Sequence, residues 1–108
     1  MPWFLESAQL LKVDGLRDPT TGQYVNTATI RATMYESNGT TVVAGQAWPL
    51  VLSYVSASNG NYNGVLQDDR VLVEGRVYWL EVEADAGGDV IKTWRWHDVA
   101  RYRTPEDG

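Results

Sequence analysis

The chain has 108 residues and no cysteine, which fits one domain and excludes a disulfide-built module or a thiolate metal site. Hydrophobic residues make up 44%, enough for a real core and too many for a disordered chain. Nine Lys and Arg against 14 Asp and Glu give a formal charge of -5, and the closest basic cluster is only Arg101 and Arg103, so the positive footprint of a nucleic-acid binder is missing.

The opening Met1-Pro2-Trp3-Phe4-Leu5-Glu6 has no basic region and no long apolar run, so no signal peptide is expected and synthesis in the cytosol is the default. No stretch approaches the roughly 20 apolar residues of a membrane span. Residues 1–7 read as an N-terminal arm or a capping segment. Three adjacent large apolar groups, Trp3, Phe4 and Leu5, would be a liability in water. Either they fold back over one end of the domain or they dock on a neighbouring subunit.

From residue 8 onward the pattern has a period of two, with turn residues every 8 to 12 positions, as half-buried strands require. Gln9 to Leu16 carries Leu11 and Val13 on one parity, and Asp18-Pro19-Thr20-Thr21-Gly22 is a turn. Thr27 to Tyr35 alternates most cleanly, with Ala28, Ile30, Ala32 and Met34 inward and threonines, Arg31 and Tyr35 outward. Asn38-Gly39 is a hairpin signal before Thr41 to Val43, because both residues tolerate positive φ. Trp48-Pro49 breaks the pattern before Leu50 to Val55, and Ser56 to Asn61 is a polar turn before Tyr62 to Leu66.

Asp68-Asp69-Arg70 leads to Leu72-Val73-Glu74-Gly75-Arg76-Val77-Tyr78, then the strand Arg76 to Asp85. A tyrosine three residues after a glycine at a strand mouth is the layout of a tyrosine corner. The glycine allows the turn, and the hydroxyl ties it back to nearby backbone. Gly87-Gly88 reverses the chain into Val90 to Arg103, and residues 104–108 read as a frayed tail.

The last hairpin has two registers. A two-residue turn sets Trp79 opposite Trp96 and puts Arg95 and His97 in the core. A three-residue turn through Gly87-Gly88-Asp89 pairs Trp94 with Val82, Trp96 with Leu80, and Glu81 with Arg95 on the outer face. Burying an unpaired arginine costs several kcal/mol, so the second register is expected. Trp94 and Trp96 then face the core, and Trp79 is the exposed tryptophan, near His97.

Residues 8–103 are therefore expected to form one all-β domain, an antiparallel Greek-key sandwich of about 7–8 strands, with a small β-barrel as the alternative. Candidate chemistry is sparse. His97 is the sole histidine, with no serine in a nucleophile-elbow pattern and no second histidine for zinc. Asp68-Asp69 and the pair Asp85, Asp89 lack the spacing of a calcium loop. Glu81, Glu83 and Asp85 share one strand face, where ion pairing explains them better than glycoside hydrolysis. Asn38-Gly39-Thr40 matches a glycosylation sequon but reads as a turn. Trp48, Trp79, Tyr54, Tyr62 and Tyr102 are candidates for a sugar-stacking surface. No catalytic residue, metal or cofactor is expected.

The run Asn59-Gly60-Asn61-Tyr62-Asn63-Gly64-Val65-Leu66, the Gly75 to Tyr78 element with its strand, Gly87-Gly88, and the closing Val99-Ala100-Arg101-Tyr102-Arg103 resemble small immunoglobulin-like modules of tailed bacteriophages and prophages. The Gly15 to Asn26 turn region and the following Thr29 to Tyr35 strand are similar to the opening of those modules. The resemblance spans roughly residues 8 to 103, and its motifs also occur in fibronectin-like and carboxypeptidase regulatory-like sandwiches. It implies an immunoglobulin-like, non-enzymatic structural or assembly module, in the virion or host cytoplasm. Such a module packs against other structural proteins or copies of itself, as a homo-oligomer. Trp3, Phe4, Leu5, Trp79 and His97 are the expected interaction surface. The alternatives are a carbohydrate-binding module and, behind it, a small hydrolase acting through Glu81 or His97.

Overall fold

The structure, a computed structural model, describes residues 2–107. It is all-β, with seven strands: β1 (Trp3–Phe4), β2 (Gln9–Val13), β3 (Thr29–Tyr35), β4 (Leu50–Tyr54), β5 (Tyr62–Leu66), β6 (Val77–Ala86) and β7 (Asp89–Arg101). They form one sheet in the order β1-β7-β6-β3-β4-β5-β2, curled until nearly closed into a barrel. The expectation of a purely antiparallel sheet is corrected in one place. β1 runs parallel to β7, with Trp3 beside Ala100 and Phe4 beside Arg101.

The turn of the sheet happens within β4. Leu50 to Leu52 pair with Ala32 to Ile30 of β3, whereas Ser53 and Tyr54 pair with Asn63 and Tyr62 of β5. The inner faces of the two halves then meet. Ile30, Ala32 and Met34 of β3 and Leu80, Val82 and Ala84 of β6 are buried together with Leu11, Leu52, Tyr62 and Leu66 from the other half. The strict alternation of Thr29–Tyr35 is the reason: its even-numbered residues are buried and its odd-numbered ones are not. Thr41 to Val43 makes no strand of its own, only a bridge from Val42 to Tyr35.

The tyrosine corner forms. Tyr78 is buried, and its hydroxyl oxygen accepts a 2.7 Å bond from the Val73 amide. The register of the last hairpin is the expected one, with Leu80 beside Trp96, Glu81 beside Arg95 and Val82 beside Trp94. Its origin differs. Ala86 pairs with Asp89 across a two-residue Gly87-Gly88 turn, both glycines at positive φ (67° and 91°), and a bulge at Ile91 supplies the one-residue shift. The extra residue lies in the strand, at Ile91, and not in the turn.

Pro2 to Ser7 and Thr104 to Asp107 differ from an exposed arm and a frayed tail. Trp3, Phe4 and Leu5 are all buried within the chain, and the Trp3 indole donates to the Tyr78 carbonyl at 2.9 Å. Of the two expectations for residues 1–7, folding back is the one that describes Pro2 to Ser7, and a free docking arm is not. Phe4 lies under the guanidinium groups of Arg101 and Arg103, 5.1 and 4.1 Å from its ring centre. Pro105–Asp107 forms a turn of 3-10 helix, and Asp107 accepts bonds from Arg101 at 2.7 and 3.0 Å and from the Thr104 amide at 2.8 Å. The frayed-tail expectation fails up to Asp107, because a carboxylate and a guanidinium in register hold the chain down.

β1 and β2, neighbours in sequence, are the two ends of the sheet. Gln9 links them: its side-chain oxygen accepts from the Phe4 amide at 3.2 Å, and its side-chain nitrogen donates to the Pro2 carbonyl at 2.9 Å. This satisfied amide, 2% exposed, closes the seam at one end only. Beside it sits Arg70, 5% exposed. It donates to the carbonyls of Gln67 (2.8 Å), Phe4 (3.2 Å) and Ser7 (3.4 Å), and burial pushes its pKa down to about 10.

Candidate functional site

Three surfaces follow from this register. The first is the outer face of β3, β6 and β7. The register aligns Tyr35, Trp79 and His97 in one row, and Trp79 meets His97 edge-on with ring centres 4.6 Å apart. Arg95, 3.6 Å from Glu81, lays its guanidinium 5.1 Å from Trp79 and 5.5 Å from Tyr35. Arg95 also donates to the Gly39 carbonyl.

That last contact corrects the expectation for Trp79. The loop tip of Asn38-Gly39 folds down onto it, so Trp79 is half-buried and not an open platform. Gly39 has a φ of 74°, and a Cβ there would come within 2.7 Å of Arg95 and 3.8 Å of the Trp79 ring. His97 is exposed at the rim. The structure therefore brings Trp79 and His97 together, and it places Trp3, Phe4 and Leu5 elsewhere, inside the domain.

Of the carboxylates sharing this face, Glu81 and Asp85 are in ion pairs. Glu81 faces Arg95, Asp85 lies 3.5 Å from Arg31, and Glu83 pairs across the ladder with Arg31. Asp85 also accepts from the Gly88 amide, which is its turn role. The sugar-stacking candidates are scattered. Tyr62 is buried with its hydroxyl bonded to Val25 and Ala28, Trp48 donates to the Val43 carbonyl, and Tyr54 donates to Ser58. Of the five, only Tyr102 is exposed.

The second surface was missed by the pattern reading. Leu10 pairs with Val65 on the outer face of β2 and β5. Val51 lies two residues before the Ser53–Asn63 pair and Val65 two residues after it, where a Cβ on neighbouring Gly64 would meet the Leu50 and Leu52 side chains. Leu10, Val65 and Val51 are 46%, 42% and 57% exposed, an apolar row across three adjacent strands. The row runs on through Arg31 and Glu83, one charge of each sign. Leu10 was legible, since it has the opposite parity to Leu11 and Val13. The unbroken apolar run Leu50 to Leu52 hid the direction of Val51.

The third is the open end of the seam. A cleft of about 270 Å³ lies between the free edges of β2 and β7, lined by Lys12, Val13, Asp14, Val82, Trp94 and Trp96. Trp94 and Trp96 face inward as expected, but both are only half-buried because the barrel does not close over them. Trp96 leans against Trp3 with ring centres 6.1 Å apart, and the Lys92 ammonium sits 6.0 Å from the Trp94 ring.

No protein-family model, curated protein or solved structure matches the chain.

Proposed function

We propose that this chain is a non-enzymatic structural or assembly module of a tailed-phage or prophage particle, an immunoglobulin-like Greek-key sandwich that works by contact with copies of itself. The resemblance of residues 8–103 to such modules is one support. The tyrosine corner and the way β4 leaves β3 for β5 are what a sandwich of this kind would need. The observation that carries the contact function is the exposed row Leu10, Val65 and Val51 on a regular sheet face.

An apolar row of this kind suits a two-fold contact, because the same patch serves both partners. Its polar continuation carries Arg31 and Glu83 side by side, so two copies meeting there do not oppose charges of one sign only. Sedimentation equilibrium tests this. The native chain is expected to associate as concentration rises, and Val51→Asp with Val65→Asp is expected to abolish association while the thermal melt stays cooperative. A monomer mass at every concentration would remove self-assembly from the reading.

A further inference from the structure

The hydrogen bonds around Ala100 fix which way each residue of β7 points its backbone. Ala100 donates to Arg76 and accepts from Gly75, so its groups face β6, while the Arg101 carbonyl faces the other way and accepts from Leu5. No register shift separates residue 93 from residue 99. By alternation, the N–H and C=O groups of Thr93, Arg95 and His97 point away from β6, toward the second edge of β7. β1 occupies that edge only at Ala100 and Arg101. Among the described residues, nothing pairs with the edge from Thr93 to His97.

This open edge borders the cleft. The even-numbered neighbours, Trp94 and Trp96, turn their indoles into it, across from Val13 and above Val82. A strand laid beside Thr93–His97 would place every second side chain among these four residues, and the intervening ones outside. Lys12 on the far bank has no carboxylate within ion-pair distance among the described residues, and Asp14 stands beside it at the mouth; Lys92 lies on the face of Trp94 and covers its ring.

We propose that the β7 edge at Thr93–His97, with the Trp94–Trp96 cleft, is the docking strip for an extended segment of a partner protein that alternates apolar with acidic residues. Main-chain bonds to Thr93, Arg95 and His97 supply affinity, the cleft selects the alternate apolar side chains, and Lys12, on the outward parity of β2, selects the acidic ones. The inference rests on reading the chain as a protein-contact module and assigns it a second contact, separate from the apolar row.

A short capped peptide alternating valine and glutamate is the probe, followed by amide and indole NMR shifts of the full chain. The expected result is saturable shifts at the Thr93, Arg95 and His97 amides and at the Trp94 and Trp96 indoles. Thr93→Pro removes an outward-facing N–H and leaves the ladder to β6 intact, so affinity is expected to fall at least about tenfold with the fold retained. Should that variant not fold, the same peptide N-methylated at alternate residues on the native chain is expected to lose binding to the same degree. Lys12→Glu is expected to weaken binding severalfold. No shift at millimolar peptide, equal affinity of the N-methylated peptide, or indole shifts given by an oligosaccharide with the backbone amides silent would each overturn the assignment. Self-association read by sedimentation is untouched by Thr93→Pro, so failure of this strip and failure of the contact function remain distinguishable.

Discussion

Individual residues fix the corners of this molecule. Tyr78 does so through one bond: without its hydroxyl, the Val73 amide loses its acceptor. Tyr78→Phe keeps the ring in the core and removes only that acceptor, so a loss of roughly 1–3 kcal/mol is expected from denaturant unfolding, with the slope m unchanged. This residue was readable in the chain because the glycine three positions earlier announces it. Arg70 and Gln9 were not readable. Neither stands out in an alternating pattern, and each is buried only because the ends of β1 and β2 meet beside it, a contact that depends on the closed sheet. The same holds for Trp79, whose parity gave its face correctly but could not show that the Gly39 loop folds over it.

Between elements, the seam joining β1 and β2 decides how the sheet closes. The Gln9 side chain ties β2 to the β1 segment by accepting from the Phe4 amide and donating to the Pro2 carbonyl. Gln9→Ala is expected to cost about 1–2 kcal/mol and to speed hydrogen exchange at the Phe4 amide well before the central strands respond. The C-terminal turn is a second fastening, and it depends on pH. The Arg101 guanidinium and the Thr104 amide hold the Asp107 carboxyl well below the usual carboxylate range. A depressed folded-state value means that the stabilisation is complete above the unfolded value of about 4 and fades as pH falls below it. The Thr104 amide shift is therefore expected to stay constant from neutral pH down to about 4 and to move toward its unfolded position under more acidic conditions.

Strands announced themselves by their period, and β5 was bounded correctly to the residue, Tyr62 to Leu66. β1 did not, because two residues, Trp3 and Phe4, are too few to show a period. Its parallel pairing with β7 is a long-range contact that no local pattern encodes. The hairpin between β6 and β7 shows the same limit from another side. The cost of burying Arg95 chose the right register, yet sequence alone could not say whether the extra residue sat in the turn or at Ile91.

For the whole molecule, a nearly closed sheet with one end of its seam open presents two kinds of surface. The β2-β5-β4 face carries the exposed apolar residues Leu10, Val65 and Val51, and the β3-β6-β7 face carries ion pairs and a covered tryptophan. On the proposed reading, contact between copies belongs on the first face. Amide hydrogen exchange of the full chain at low and high concentration locates it directly. Slower exchange at high concentration is expected for amides on β2, β4 and β5 around Leu10, Val51 and Val65, with Trp79 and His97 unchanged. Protection confined to the Trp79 and His97 face, or exchange rates independent of concentration everywhere, would contradict the account.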